Sequence, residues 1–134
     1  MFHSSPIKAY RQLDLETEVI TADPHRLIQL LLDGAIASIG EAKTHMANNN
    51  IAAKGNAISK AIDIIANGLK VSLDVEQGGD IARRLVALYD YMSVRLLHAN
   101  MRNDPGALEE VSNLLLQIAE AWSEIAHEAK GLGG

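Results

Sequence analysis

Glu124 and His127 stand three residues apart, the spacing that sets a carboxylate and an imidazole on one helix face, where helical bundles hold a di-iron carboxylate centre. Such a centre needs a second Glu-x-x-His pair and a glutamate from each remaining helix. The stretch from Ile51 to Asp74 contains no glutamate, and neither does the stretch from Asp80 to Met101, so the ligand set cannot be completed. His25, His45 and His98 lack metal-ligand spacing with one another and read as surface or helix-end residues, His98 favouring the negative end of a helix dipole. Gly34 and Gly40 bracket a five-residue stretch, but Glu41 follows where a phosphate loop needs lysine and a hydroxyl residue. Gly78-Gly79 reads as a turn. No serine lies in a nucleophile-elbow pattern, and the chain has no cysteine. These residues predict a binding module and no enzyme, with neither metal nor cofactor.

The elements that carry them are punctuated by local chemistry. Asp23-Pro24 and Asp104-Pro105 each set a capping carboxylate before a proline whose missing N–H falls where a helix has no use for one. Asn48-Asn49-Asn50 and Gln77-Gly78-Gly79 are turn-like. The marks predict helices over 24–47, 51–75, 80–102 and 105–130, with Gly131 to Gly134 as a stop and tail. Apolar residues recur at helical spacing in each: Leu27, Leu31, Ala35 and Ala42; Ile51, Ile58, Ile62, Ile65, Leu69 and Leu73; Ile81, Leu85, Leu88, Met92 and Leu96; Leu108, Val111, Leu115, Ile118, Trp122 and Ile125. Short connections between long helices force antiparallel neighbours. The expected fold is all-α, an antiparallel up-down four-helix bundle over 21–130, with a displaceable N-terminal arm over 1–20 and a flexible tail over 131–134.

Composition narrows the partners. At 134 residues the chain is one domain, and 12 basic against 17 acidic side chains leave a net charge of −5 without a sizeable basic cluster. That argues against nucleic acid, whose phosphates are bound by releasing counterions to lysine and arginine. Apolar residues make up 48%, yet no run approaches the ~20 residues that span a bilayer. No apolar stretch behind Phe2 and His3 resembles a signal peptide, so a cytoplasmic location is expected.

More apolar side chains are present than a bundle seam requires. On a helical wheel the first helix spreads them over about half its circumference, Ile28 and Leu32 included, against the ~100° that a seam needs. The second helix carries Ala53, Ala57, Ile64 and Val71 away from its main stripe, and the third carries Val86, Val94, Leu97 and Met101. Either these faces pack on neighbouring helices and the arm, or they form a groove for a partner, since monomers seldom leave large apolar patches unused. Ile7, Tyr10, Leu13 and Leu15 suit an arm that docks reversibly and can be displaced.

Ile7-Lys8-Ala9-Tyr10, Ala22 to Ile28 and Leu32-Asp33-Gly34-Ala35 resemble the opening of the flagellar secretion chaperones that guard flagellin, the FliS family. Gly55 to Ala61, Ile64 to Leu69, Gly78 to Ala82, Leu88 to Met92, Leu96 to Asn100, Glu109-Glu110-Val111 and Ala119 to Trp122 extend the resemblance over nearly the whole chain. It implies a cytoplasmic export chaperone without catalysis. Such a chaperone binds the C-terminal segment of flagellin as short helices in apolar grooves, prevents premature polymerisation and presents the client to the flagellar type III export gate. The resemblance carries Ile7 and Tyr10 to contacts with client or gate. The wheel contributes Ile28, Leu32, Ile64, Val71, Val86 and Leu97 as groove residues. The alternative from another class is a self-associating structural bundle whose surplus apolar faces meet in a homodimer without client.

Overall fold

A computed structural model of the chain describes residues 23–133, with side chains through Ile125. The arm, with Ile7 and Tyr10, and the side chain of His127 lie outside the described residues. Among the described residues four α-helices follow one another: α1 (Pro24–Ala47), α2 (Ile51–Ile64), α3 (Val75–Arg102) and α4 (Pro105–Gly133). α1 packs on α2 and α4, and α3 packs on the same two. The helices therefore stand in chain order around one core, each between its neighbours, the up-down arrangement that short connections enforce.

Each start has a side-chain cap. Asp23 accepts from Arg26 N at 2.7 Å, with Pro24 opening the helix. Asn50 accepts from Ala53 N at 3.3 Å and Asp74 from Gln77 N at 3.1 Å. Asp104 accepts from Gly106 N and Ala107 N at 2.9 and 3.3 Å. Asn49 and Asn103 take left-handed backbone in the turns, at φ 57° and 50°, a conformation asparagine tolerates better than most residues.

Two boundaries differ from the sequence expectation. α2 does not run regularly to 75: its helix loosens into a π turn at Ile65–Leu69 and tightens into a 3₁₀ turn at Lys70–Ser72. Gly68 sits in the widened turn, where a Cβ would lie 3.2 Å from Leu31 Cδ2, so α1 presses closely on this segment. α3 begins at Val75 and is bent at Gly79, whose φ 57° and ψ −133° belong to a region open essentially to glycine. The predicted Gln77-Gly78-Gly79 turn is thus a kink inside α3. The connection itself is Leu73-Asp74.

The core is aliphatic, with Leu31, Leu32, Ile39, Ile58, Ile64, Ile65, Leu69, Met92, Leu96, Leu108 and Leu115 sealed from solvent. Tyr89 is the aromatic member of that core, and burial pushes its hydroxyl up to about 12. Buried Leu32 and Ile64 correct the expectation that both line an outer groove. α1 lies between two helices and is covered over more than half its girth. α2 turns Ala57, Ala61 and Gly68 inward, and these small residues admit α1 closely and carry Ile64 into the core with them. Conversely, Ile51, Ile81 and Ile125, expected in the core, are exposed. The first two stand at or near helix starts.

Lys54 ties α2 to the end of α3. It is buried, and its Nζ donates to Asn100 O at 3.0 Å and to Asn103 Oδ1, placing a cation against the negative end of the α3 dipole. Lys54→Met keeps the stem's volume but leaves the carbonyl without its charged donor. Urea denaturation should show a loss of about 2 kcal/mol, the scale of charge-assisted hydrogen bonds.

Candidate functional site

Val86, Asp90, Val94, Leu97 and Met101 are separated by four, four, three and four residues, which sets them on one face of α3. Val94 is 63% exposed, Leu97 52% and Met101 75%, while Val86 is half-buried. Asp90 on this face accepts from Lys70 Nζ at 2.6 Å, and Asn100 O accepts from Lys54. Both ties run to α2 and its tail, so the face lies alongside that element. Val71, just beyond Lys70, is 57% exposed, and Ile51 at the other end of α2 is 73% exposed. Of the groove residues expected from the sequence, Val71, Val86 and Leu97 therefore share this side of the bundle. Val94, Met101 and Ile51 extend it.

Ile28 belongs elsewhere. With Pro24, His25, Leu27, Ser72 and Trp122 it lines an open, mainly apolar cavity of about 350 Å³ at the start of α1. Ser72, from the 3₁₀ turn after α2, is the lining residue that α1 and α4 do not supply. The cavity wall is fixed by a contact the sequence did not disclose. The His25 and Trp122 rings stack with centroids 4.4 Å apart and 8° between planes. Trp122 Nε1 donates to His25 O at 2.9 Å, and His25 Nε2 donates to Trp122 O at 2.9 Å; a carbonyl only accepts, so the imidazole proton sits on Nε2. Ninety-seven residues separate the pair. A second open cavity, about 320 Å³ and floored by Gly34, Ala37 and Ser38, lies between α1 and α2 with Asp33, Glu41 and Lys60 at its edge.

Polar groups tie α3 to α4 rather than forming a reaction centre. Glu110 accepts from Tyr91 Oη and from Arg95 Nε at 2.8 Å. The tyrosine hydrogen bond, then that of Arg95, holds its carboxyl below the usual 4.5. Asp104 is held below 3.8, first by the Ala107 N–H and also by His98. Because both folded-state values are depressed, their stabilisation is complete above the ordinary carboxylate range and is lost as pH falls through the folded values. Melting temperature is expected to fall on acidification below about pH 4.5, and Glu110→Gln should flatten part of that slope. An equal slope in the variant would remove Glu110 from the account.

Among the described residues no three of His, Asp and Glu gather closely enough to hold a metal ion. No described helix is long and apolar enough to cross a membrane. What the geometry offers is an exposed apolar row along α3 and, apart from it, an open cavity lined by α1, the 3₁₀ turn and α4.

Residues 6–129 match the family model described as flagellar protein FliS. The chain is 52% identical over 129 residues to the flagellar secretion chaperone FliS of Salmonella typhimurium, covering 96% of each. It is 44% identical over 127 residues to the flagellar secretion chaperone FliSB of Pseudomonas aeruginosa, covering 95% of this chain and 100% of the relative. To FliS of Bacillus subtilis it is 31% identical over 134 residues, covering 97% and 96%. With residues 6–129, all but the last turn of the four-helix bundle, matched by that model, the chain belongs to the FliS family of flagellar proteins.

Proposed function

We propose that this chain is a cytoplasmic export chaperone that binds the C-terminal segment of flagellin, prevents its premature polymerisation and presents it to the flagellar type III export gate. Family membership supports the export role. The observation that carries binding is the exposed apolar row Val94, Leu97 and Met101 on α3, with exposed Ile51 at the start of α2 and exposed Val71 in the 3₁₀ turn that follows it. A client helix with apolar residues at three- and four-residue spacing fits such a face without any nucleotide. The cavity around Ile28 offers a second, separate apolar surface. Leu32 and Ile64 support it from within the core.

Ile7 and Tyr10 serve this reading as an arm that covers part of the groove until the client arrives. Deleting residues 1–15 is expected to tighten binding of an isolated flagellin C-terminal peptide, because the competitor is gone and the binding-competent fraction rises. Weaker binding after deletion would make the arm a client contact instead. The function itself is tested by mass measurement of the full chain, alone and with that peptide. A one-to-one complex is expected. A tight dimer indifferent to the peptide would favour the self-associating structural bundle.

A further inference from the structure

We propose that the side-chain amide of Asn100 selects a docking helix that carries an asparagine or glutamine within its apolar stripe. The inference rests on the client-binding reading for the identity of that helix and adds the polar chemistry by which it is recognised. Asn100 is half-buried on α3, three residues after Leu97 and directly before Met101. Its backbone oxygen is engaged by Lys54, whereas its carboxamide makes no hydrogen bond among the described residues. Neither polar atom of that carboxamide is sealed from solvent.

Gly55 is what leaves the amide open. It faces Asn100 from α2, and a Cβ built on it would stand 4.0 Å from both Nδ2 and Oδ1. α2 runs through Gly55 as ordinary helix, without a positive φ. Alanine would therefore fit, and glycine in mid-helix costs stability relative to it; a longer side chain would lie over the amide. Lys54, the preceding residue, is buried and fastens α2 to this end of α3 through Asn100 O and Asn103 Oδ1. The two sides of the opening are thus held at a fixed separation. Exposed Ile51 stands one turn before Gly55, and exposed Leu97 and Met101 border Asn100, so the free carboxamide lies within an apolar rim.

A helix laid along the α3 row takes this amide out of water. An aliphatic side chain over it leaves a donor and an acceptor unpaired, which is unfavourable. A second carboxamide supplies the matching acceptor and donor and exchanges two hydrogen bonds, whichever way either amide is turned. One such polar contact within an apolar seam also fixes register, because a slip along the seam leaves both amides unpaired.

The test titrates the full chain with a flagellin C-terminal peptide and with two designed amphipathic helices of identical leucine stripe. One carries glutamine at the central stripe position and the other leucine. Asn100→Leu and Gly55→Leu variants are measured in parallel after circular dichroism has confirmed native helix content. Gly40→Leu, in α1 where a Cβ meets nothing within 4 Å, controls for replacing an exposed helical glycine.

The glutamine helix should bind the wild-type chain about tenfold more tightly than the leucine helix, the scale of two neutral hydrogen bonds; this comparison needs no variant. Asn100→Leu should abolish the preference, Gly55→Leu should weaken binding of the glutamine helix, and Gly40→Leu should change neither. The flagellin peptide should bind Asn100→Leu about tenfold more weakly than wild type. Flagellin binding indifferent to both Asn100 and Gly55 would overturn this inference and leave the client reading standing. If the flagellin peptide fails to bind but the glutamine helix keeps its Asn100-dependent preference, the client reading falls and the Asn100 inference holds. Equal affinity of the two designed helices, or binding by neither, overturns the inference whatever flagellin does.

Discussion

Ile64→Asp is expected to leave the protein unfolded at room temperature, although a helical wheel alone would allow the change. Ile64 is 1% exposed and sits in the main core cluster. Removing its side chain forfeits the transfer and cavity energy of a large aliphatic residue, about 2–5 kcal/mol. The carboxylate then has no cation to meet, which adds several kcal/mol of desolvation or forces its protonation. A domain of this size holds a reserve of about 5–15 kcal/mol, so the two losses together exhaust most or all of it. Far-ultraviolet circular dichroism should show the helices gone. Ile64→Val, which deletes one methyl group, should fold and cost about 1 kcal/mol. A folded, cooperative Ile64→Asp protein would contradict the placement of this residue.

Leu97→Asp should do the opposite, preserving the bundle and damaging what it binds. Leu97 is half-exposed on α3, so aspartate there is hydrated and the helix keeps its backbone bonds. Burying a leucine against a partner contributes about 1.5–3 kcal/mol, and every 1.4 kcal/mol is tenfold in affinity. Leu97→Asp is therefore expected to weaken binding of the flagellin peptide about ten- to hundredfold with little change in melting temperature. Combined with Met101→Asp on the same row, the loss should grow further. The result is read by calorimetric titration after circular dichroism has confirmed native helix content. Wild-type affinity in the double variant would take this face out of the site.

The contrast between these two positions marks what could be read from the sequence. Helix starts were legible because their chemistry is local: Asp23 and Asp104 need only their own next three residues to satisfy N–H groups. The outward row of α3 was also legible, since Val94, Leu97 and Met101 fall well away from the stripe that ends in Met92 and Leu96. The rotation of α2 about its own axis was not. It is decided by how closely α1 can approach, and that depends on Ala57, Ala61 and Gly68 meeting side chains such as Leu31. A wheel weighted by hydrophobicity treats small residues as weak signals, yet here they set which face goes inward. The π turn after Ile64 holds Gly68, the residue of closest approach to Leu31. The His25–Trp122 clamp lay beyond reach for a different reason: it joins residues 97 apart through backbone carbonyls, which no side-chain pattern advertises. The lone tryptophan near the end of an otherwise aliphatic helix was its sole sequence signal.

The most direct test of the account is a methyl-labelled nuclear magnetic resonance titration of the full chain with the flagellin C-terminal peptide. The methyl groups of Val71, Val94, Leu97 and Met101 are expected to shift together and saturate at one equivalent of peptide, with Leu108 and Leu115 in the core moving little. Shifts confined to Leu30 and Ala37, beside the cavity between α1 and α2, with the α3 methyl groups unmoved at saturation, would contradict it.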